Sequence, residues 1–187
     1  AIMGIGMVFF GLELMKDACS HIQELPTFDA WFGRFKATTV VGMMQCMLTG
    51  CILTVMVQSS SATLGITIAL ALTGVINYPT AAALVLGENI GTTITALLAS
   101  IGANTNARRA AYFHVVFNMI GVLWISTIFF AYVRFVPWVI GADVSQVVRT
   151  AEGVATYPER TAAIAATHSI FNIVNTLLFL PFAHLLV

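Results

Sequence analysis

Apolar stretches of helical length alternate along this chain with short polar punctuation. Residues 39–57 are apolar apart from Gln45 and a few threonines. As a helix rising ~1.5 Å per residue they would reach ~28 Å, close to the ~30 Å of a bilayer's hydrocarbon core. The run Gln58-Ser59-Ser60-Ser61-Ala62-Thr63 then interrupts them. Residues 62–76 read as a second helix of ~22 Å, short for a full span. A helix, a polar tip and a short returning helix predict a re-entrant hairpin over 39–76. Asn77-Tyr78-Pro79 is a turn signal. Residues 80–87 follow as a half-helix, then the motif Gly87-Glu88-Asn89-Ile90-Gly91-Thr92-Thr93, then helix to about Ile101. The segment 80–102 is thus expected to be a broken helix. Asn104-Thr105-Asn106 marks a loop. Residues 110–133 read as a full span, flanked by Arg108, Arg109 and Arg134, so that 108–134 is one transmembrane helix. Residues 137–160, with Pro137, Gly141, Gly153 and Pro158, read as a polar connection in water, and 161–187 as the last span.

The two polar interruptions matter because of where they fall. From Ala37 to Ala107 there is no Lys, Arg or Asp, and Glu88 is the one carboxylate. Lipid cannot solvate bare backbone, so irregular chain at membrane depth persists only inside protein or against a water-filled cavity. Paired breaks in short apolar helices point to the binding site of a secondary transporter.

Composition agrees. The chain has 187 residues, 59% hydrophobic and 9% charged, with mean hydropathy +0.93; soluble domains are about 25% charged. The expected fold class is an all-α membrane protein, a single transmembrane domain over 1–187 with discontinuous helices. A net charge of zero argues against nucleic acid. Residues 1–16 read as the end of a helix and the chain as a piece of something longer, without a cleavable signal peptide. Residues 17–36 mix charged residues and histidine with Leu25, Phe28, Trp31, Phe32 and Phe35. That suits either an interfacial segment with aromatics at headgroup level or an ordinary connecting loop. Cys19, Cys46 and Cys51 are odd in number, and two lie in an apolar run, where Cys acts as a small hydrophobe. Arg and Lys occur at both kinds of helix end, so membrane orientation is not readable.

The serine run has specific chemistry. Ser and Thr favour helix N-caps, and a helix N-terminus is a natural anion site. Gly91-Thr92-Thr93 would open a helix in the same way. Two such N-termini would converge with the Gln58 and Asn89 amides, the hydroxyls and the carbonyls freed at the breaks. Hard oxygen ligands of this kind suit sodium; the thiolate or imidazole set of a zinc site is missing. No basic residue lies between Ala37 and Ala107 to neutralise an oxyanion, and a helix end contributes only ~0.5 charge. A bound phosphate would therefore need cations beside it. Glu88, an intramembrane carboxylate, is by default functional: it binds a cation, carries a proton, or sits protonated against a carbonyl. Scattered Thr39, Thr49 and Thr73 are read as packing residues, as are Met43, Met44, Met47 and Met56. The motif H-x-x-F-N occurs at 114–118 and again at 168–172. His114, Asn118, His168 and Asn172, like Asn175, are expected to make interhelical hydrogen bonds.

Q-S-S-S-A-T at 58–63 followed by G-E-N-I-G-T-T at 87–93 resembles the sodium/phosphate cotransporter family, bacterial and type II animal members alike. Ser100 to Asn106, Arg108-Arg109 and the two H-x-x-F-N motifs resemble the second half of bacterial members. The resemblance implies two inverted repeats whose Q-S-S-S tips meet near the membrane centre, of which this chain carries one. The first repeat, or a second copy, would be a partner; a PhoU-like domain, which often follows in bacterial members, is not expected within residues 1–187. Glu88 stands where many members have a small residue.

The resemblance implies sodium-coupled symport of inorganic phosphate across the bacterial cytoplasmic membrane by alternating access. It implies no cofactor beyond sodium as coupling ion, and no enzymatic activity. Substrate-binding candidates are Gln58, Ser59, Ser60, Ser61, Asn89, Gly91, Thr92 and Thr93. Sodium candidates are Gln58, Ser60, Thr54, Thr63, Glu88 and Asn89. One alternative is a sodium- or proton-coupled transporter of another oxyanion or a carboxylate, and another is a passive channel. A distant one is an intramembrane serine hydrolase using Ser60, His114 and Glu88; no G-x-S-x-G elbow supports it.

Overall fold

The computed structural model describes residues 36–150 and 153–182, with Met3, Gly4, Gly6, Met7, Phe10, Gly11 and Leu14. These last seven are helical and exposed. The expected interfacial segment, apart from Lys36, and residues 183–187 lie outside the described residues, as does Cys19.

Helix α1 (Val40–Val57) starts at Thr39, whose hydroxyl accepts from the Gly42 N–H, and ends at Gln58 in the left-handed region. Helix α2 (Ser60–Leu72) starts two residues on, capped by Ser59. Helix α3 (Tyr78–Ala99) is capped by Asn77 with Pro79 in its first turn. Asn104 caps α4 (Thr105–Thr127). Helix α5 (Phe129–Ile140) follows almost directly and stops at Gly141, φ 67°. A two-residue antiparallel pair joins β1 (Val148–Arg149) to β2 (Ala155–Thr156). Helix α6 (Pro158–Phe179) runs into a 3₁₀ turn over Leu180–Phe182. Among the described residues, four helical stretches are long and apolar enough to cross a membrane: Val40–Val57, Tyr78–Ala99, Thr105–Thr127 and Pro158–Phe182. At 13 residues α2 reaches only ~20 Å.

Helix α3 is the centre of the molecule, packed by α1, α2, α4, α5 and α6. Every residue from Tyr78 to Asn89 except Pro79 is buried. Helices α1 and α3 run parallel: Gly87 lies against Met47, and Gly91 against Cys51 and Thr54. In chain order α2 returns between them, and the hairpin tip, one turn past Thr54, sits about one turn beyond the level of Gly91. Helix α6 reaches this layer through Tyr78, whose hydroxyl pairs with Thr167 Oγ1 at 2.8 Å, and Tyr132, which donates to the Thr167 carbonyl at 2.6 Å.

Two expectations are corrected. First, the chain does not break at 87–93: α3 is continuous through the motif. The glycines serve close approach instead. A Cβ on Gly87 would overlap the Met47 carbonyl oxygen, and one on Gly91 would come within 2.6 Å of the Cys51 oxygen and 2.7 Å of Thr54 Cβ. Small residues that let backbones touch are the usual currency of membrane helix packing. Second, the expected span over 108–134 is interrupted at Ile128. There the Ile128 N–H turns back to the Ile125 carbonyl at 3.1 Å, a tighter i→i−3 bond than an α-helix makes. The apolar face continues into α5, well beyond Arg134. In the connection after α5, Asp143 accepts from the Ser145 N–H at 3.0 Å and from its hydroxyl. These bonds hold the Asp143 carboxyl below its usual range.

Candidate functional site

The α1–α2 tip is made by two adjacent backbone choices. Gln58 has φ 55°, ψ 23°, and its N–H still closes on the Thr54 carbonyl at 2.8 Å. Ser59 is extended, φ −145°, which turns the chain into α2. A non-glycine residue at positive φ is uncommon and draws attention to function. The Ser59 hydroxyl accepts from the Ala62 N–H at 3.3 Å and lies 3.3 Å from the Ser61 hydroxyl. Thr63 Oγ1 donates back to the Ser59 carbonyl at 2.9 Å. The N–H groups of Ser60 and Ser61 are among those a helix start leaves without an intrahelical partner. Gln58 and Ser61 are exposed, Ser59 and Ser60 partly so. The tip thus gathers an amide, three hydroxyls and an open helix N-terminus, which can hold an oxyanion.

Thr54 and Thr63 flank the tip from below. Both are buried, and Thr54 Oγ1 donates to the Gly50 carbonyl at 2.9 Å. The segment 89–93 is more committed to its own helix. Asn89 Nδ2 donates to the Val85 carbonyl at 2.8 Å, Thr92 Oγ1 to the Glu88 carbonyl at 2.8 Å, and Thr93 Oγ1 to the Ile90 carbonyl at 2.7 Å. Because α3 does not restart at Gly91, Thr92 and Thr93 offer no second helix N-terminus, and the carbonyls around Asn89 and Gly91 stay within the helical ladder. What the sequence reads as two facing sites is one open tip beside a closed helix.

Glu88 lies at the middle of α3 and is 1% exposed. Its Oε1 accepts from Thr67 Oγ1 of α2 at 2.7 Å, while Oε2 is buried without a hydrogen-bond partner among the described residues. Thr67 escaped the sequence reading, although its spacing of four from Thr63 puts both on one face of α2. On α6, Asn172 Nδ2 donates to the His168 carbonyl at 2.8 Å and lies 3.5 Å from Asn89 Oδ1. Asn118 makes the same self-bond to His114 at 3.0 Å on α4. The repeated H-x-x-F-N motif is therefore one local structure used twice. Of the two, Asn172 also reaches a neighbouring helix. Asn175 ties α6 to α4, donating to the Phe117 carbonyl at 3.1 Å and accepting from Trp124 Nε1 at 3.2 Å. The residues of the hydrolase alternative are not linked: among the described residues no hydrogen bond joins Ser60, His114 and Glu88.

Arg160, also missed in the sequence, closes the far end of the hairpin. It donates to the Ala71 carbonyl at 3.2 Å, the Ile76 carbonyl at 2.9 Å and the Val144 carbonyl at 3.0 Å. Its guanidinium also lies 3.6 Å from the centroid of the Tyr157 ring. The length of α2, ~20 Å, separates this cation from the tip.

Comparison with known proteins identifies the family. A family model described as Na+/Pi-cotransporter matches residues 25–143. The chain is similar to the uncharacterized protein YqeW of Bacillus subtilis, 29% identical over 99% of this chain and 53% of the relative. It is similar to the putative inorganic phosphate export protein YjbB of Salmonella typhimurium, 31% identical over 65% of this chain and 22% of the relative. To the sodium-dependent phosphate transport protein 2C of Rattus norvegicus it is 42% identical over 41% of this chain and 14% of the relative. The chain spans about half the length of the first of these curated relatives and less of the others. No solved structure gives a significant match. The match across well over half of its residues shows that this chain belongs to the Na+/Pi-cotransporter family.

Proposed function

We propose that the chain forms one repeat of a sodium-coupled transporter of inorganic phosphate in the bacterial cytoplasmic membrane. In this reading the α1–α2 tip holds the substrate. Gln58, Ser59, Ser60 and Ser61 donate amide, hydroxyl and backbone N–H groups to the phosphate oxygens. The other half of the site comes from the first repeat of the same transporter or from a second copy. The observation that carries the reading is the tip itself: a left-handed Gln58 followed by a serine-capped helix start, with the polar groups of 58–61 accessible.

The charge balance supports coupling to a cation. No Lys or Arg occurs between Ala37 and Ala107, and Arg160 is engaged at the other end of α2. The helix end supplies only ~0.5 charge. Sodium beside the phosphate offsets the remainder, held by Gln58, Ser60, Thr54 and Thr63 as oxygen ligands. Glu88 and Asn89 are left out of this set, because the expected backbone break that would free carbonyls beside them is replaced by continuous helix. Gly91, Thr92 and Thr93 support the tip through the packing of α3 on α1. One relative is named for phosphate export and another for sodium-dependent phosphate transport; in this reading direction follows from the gradients. Movement of the hairpin against the surrounding helices exposes the tip to either side in turn.

Uptake of radiolabelled phosphate into proteoliposomes of the complete polypeptide tests the reading, with an inward sodium gradient set against an equal choline gradient. Saturable, sodium-dependent accumulation is expected, strongly reduced by Ser60→Ala at unchanged expression. Wild-type uptake by Ser60→Ala refutes the site. Competition by arsenate, but not by sulfate or succinate, assigns the substrate; the reverse assigns another oxyanion or a carboxylate.

A further inference from the structure

Glu88 has no place in the tip chemistry, yet it is the most deeply buried carboxylate among the described residues, 1% exposed. One oxygen accepts a hydrogen bond from the Thr67 hydroxyl, and the other is buried with no partner among the described residues. An ionised carboxylate there needs a compensating positive charge, since a lone buried charge costs far more than a lone buried O–H.

Among the described residues, the helices packed on α3 supply no fixed one. Helices α1 and α2 carry no Asp, Glu, Lys, Arg or His, and the titratable groups of α1 are Cys46 and Cys51. Helix α4 carries Arg108 and Arg109 in its first turn, then Tyr112 and His114. Helix α5 carries Tyr132 and Arg134, and α6 carries Glu159, Arg160 and His168. Arg160 is engaged at three carbonyls. His168 Nδ1 is buried and without a partner among the described residues. It shares a face of α6 with Asn172, whose amide reaches the residue next to Glu88.

A metal cation fits poorly as the compensating charge. Hard cations take several oxygen ligands at once. The Thr92 hydroxyl donates to the Glu88 carbonyl, the Asn89 amide donates to Val85 and its oxygen accepts from Asn172. The α3 carbonyls remain in a continuous helix. A proton needs only the one free oxygen.

We infer that Glu88, held between Thr67 of α2 and the body of α3, is a proton-binding site of the transporter. It is protonated while α2 packs on α3, and releases the proton to water when the hairpin moves away. The step breaks the Glu88 O–H bond and passes the proton to a water molecule; the reverse step reloads it. This inference rests on the transporter reading for its consequence, a proton dependence of transport, but the site itself is testable without transport.

Infrared spectra of the purified complete polypeptide in lipid, taken across a pH series with and without sodium, give the first test. A protonated-carboxyl carbonyl band present at neutral pH in the wild type and missing in Glu88→Gln is expected, with a shifted band in Thr67→Val. No such difference band overturns the site, and so does a band that sodium abolishes at constant pH, which would make Glu88 a metal ligand. The second test uses proteoliposomes with equal sodium on both sides and an imposed proton gradient. The same phosphate protonation equilibria apply to both proteins, so their difference isolates Glu88. Gradient-driven accumulation should be lost in Glu88→Gln while phosphate exchange at equal pH is kept, and retained in His168→Gln. Accumulation kept in Glu88→Gln, or lost in His168→Gln alone, overturns the inference. If the wild type exchanges no phosphate, the phosphate reading fails, and the infrared bands alone decide for or against the proton site.

Discussion

The Cα of Gly87 faces the carbonyl of Met47 with no space for a methyl group between them. The obstacle is backbone, so no side-chain rotation relieves it. Gly50 stands in the same relation to the Leu84 carbonyl from the other helix. Because the tip follows α1 directly, the seating of α1 on α3 sets where Gln58 and the serines stand. Gly87→Ala should therefore push α1 from α3 and destabilise the protein by ~1–3 kcal/mol, the usual cost of overpacking. Gly11, helical with nothing among the described residues within 4 Å of where a Cβ would stand, is the control, and alanine there should be neutral or slightly stabilising. Thermal unfolding of the complete polypeptide in detergent measures both. Equal melting temperatures for Gly87→Ala and wild type would contradict the contact.

Asn175 does for α4 and α6 what the glycines do for α1 and α3. Its side chain lies on Gly121, with the Phe117 carbonyl and the Trp124 indole as partners. Interhelical hydrogen bonds in membrane proteins average ~0.6 kcal/mol, so Asn175→Ala should cost about 1 kcal/mol or somewhat more. The indole N–H loses its acceptor at the same time. A shift in Trp124 fluorescence accompanied by a lower melting temperature is expected, and unchanged emission would show that the bond is not formed.

The hairpin was legible in the sequence because its signals agree: apolar run, Gln-Ser-Ser-Ser, apolar run, then Asn77 and Pro79. Those signals place the tip, although α2 starts at Ser60 and stops at Leu72 rather than covering 62–76 as expected. The second motif was not legible, because Gly-x-x-x-Gly has two physical uses in a membrane helix. Gly87 and Gly91 can free the backbone or let a neighbour approach, and only the position of Met47 and Cys51 decides between them. The turn at Ile128 had no signal at all: Thr127, Ile128 and Phe129 include neither glycine nor proline. Arg160 and Thr67 were missed for a different reason. Their partners lie far off in sequence, at Ala71, Ile76, Val144 and Glu88, and nothing local marks them.

Arg160 fixes the end of α2 that is not the tip. Three carbonyls, at Ala71, Ile76 and Val144, depend on one planar guanidinium stacked on Tyr157. Lysine has one ammonium and no fork, so it cannot span them. Arg160→Lys should loosen the turn between α2 and α3 and speed amide hydrogen exchange around residues 72–76, leaving α1 and α3 as protected as before. Since hydrogen bonds to charged groups contribute ~1.5–3 kcal/mol each, the local opening free energy should fall by at least ~1 kcal/mol. Unchanged exchange in this turn would mean that the clamp contributes nothing to holding it.

Gln58 allows backbone and side chain to be separated. Its φ of 55° is accessible to Gly at no cost and tolerable for Asn, whereas a β-branched residue there is a true outlier. Gln58→Gly should keep the tip's path and lose only the amide. Gln58→Asn should keep the path and shorten the reach of the amide, and Gln58→Val should strain the tip itself. The melting temperature should accordingly be near wild type for Gly and Asn and lower for Val, by ~1–2 kcal/mol, the cost of a left-handed conformation for an ordinary L-residue. Phosphate uptake discriminates further. If the amide binds substrate or sodium, Gln58→Gly should raise the apparent KM for one of them while the fold stays intact. If Gln58 is there only to turn the chain, Gln58→Gly should transport as well as wild type, and Gln58→Val alone should fail.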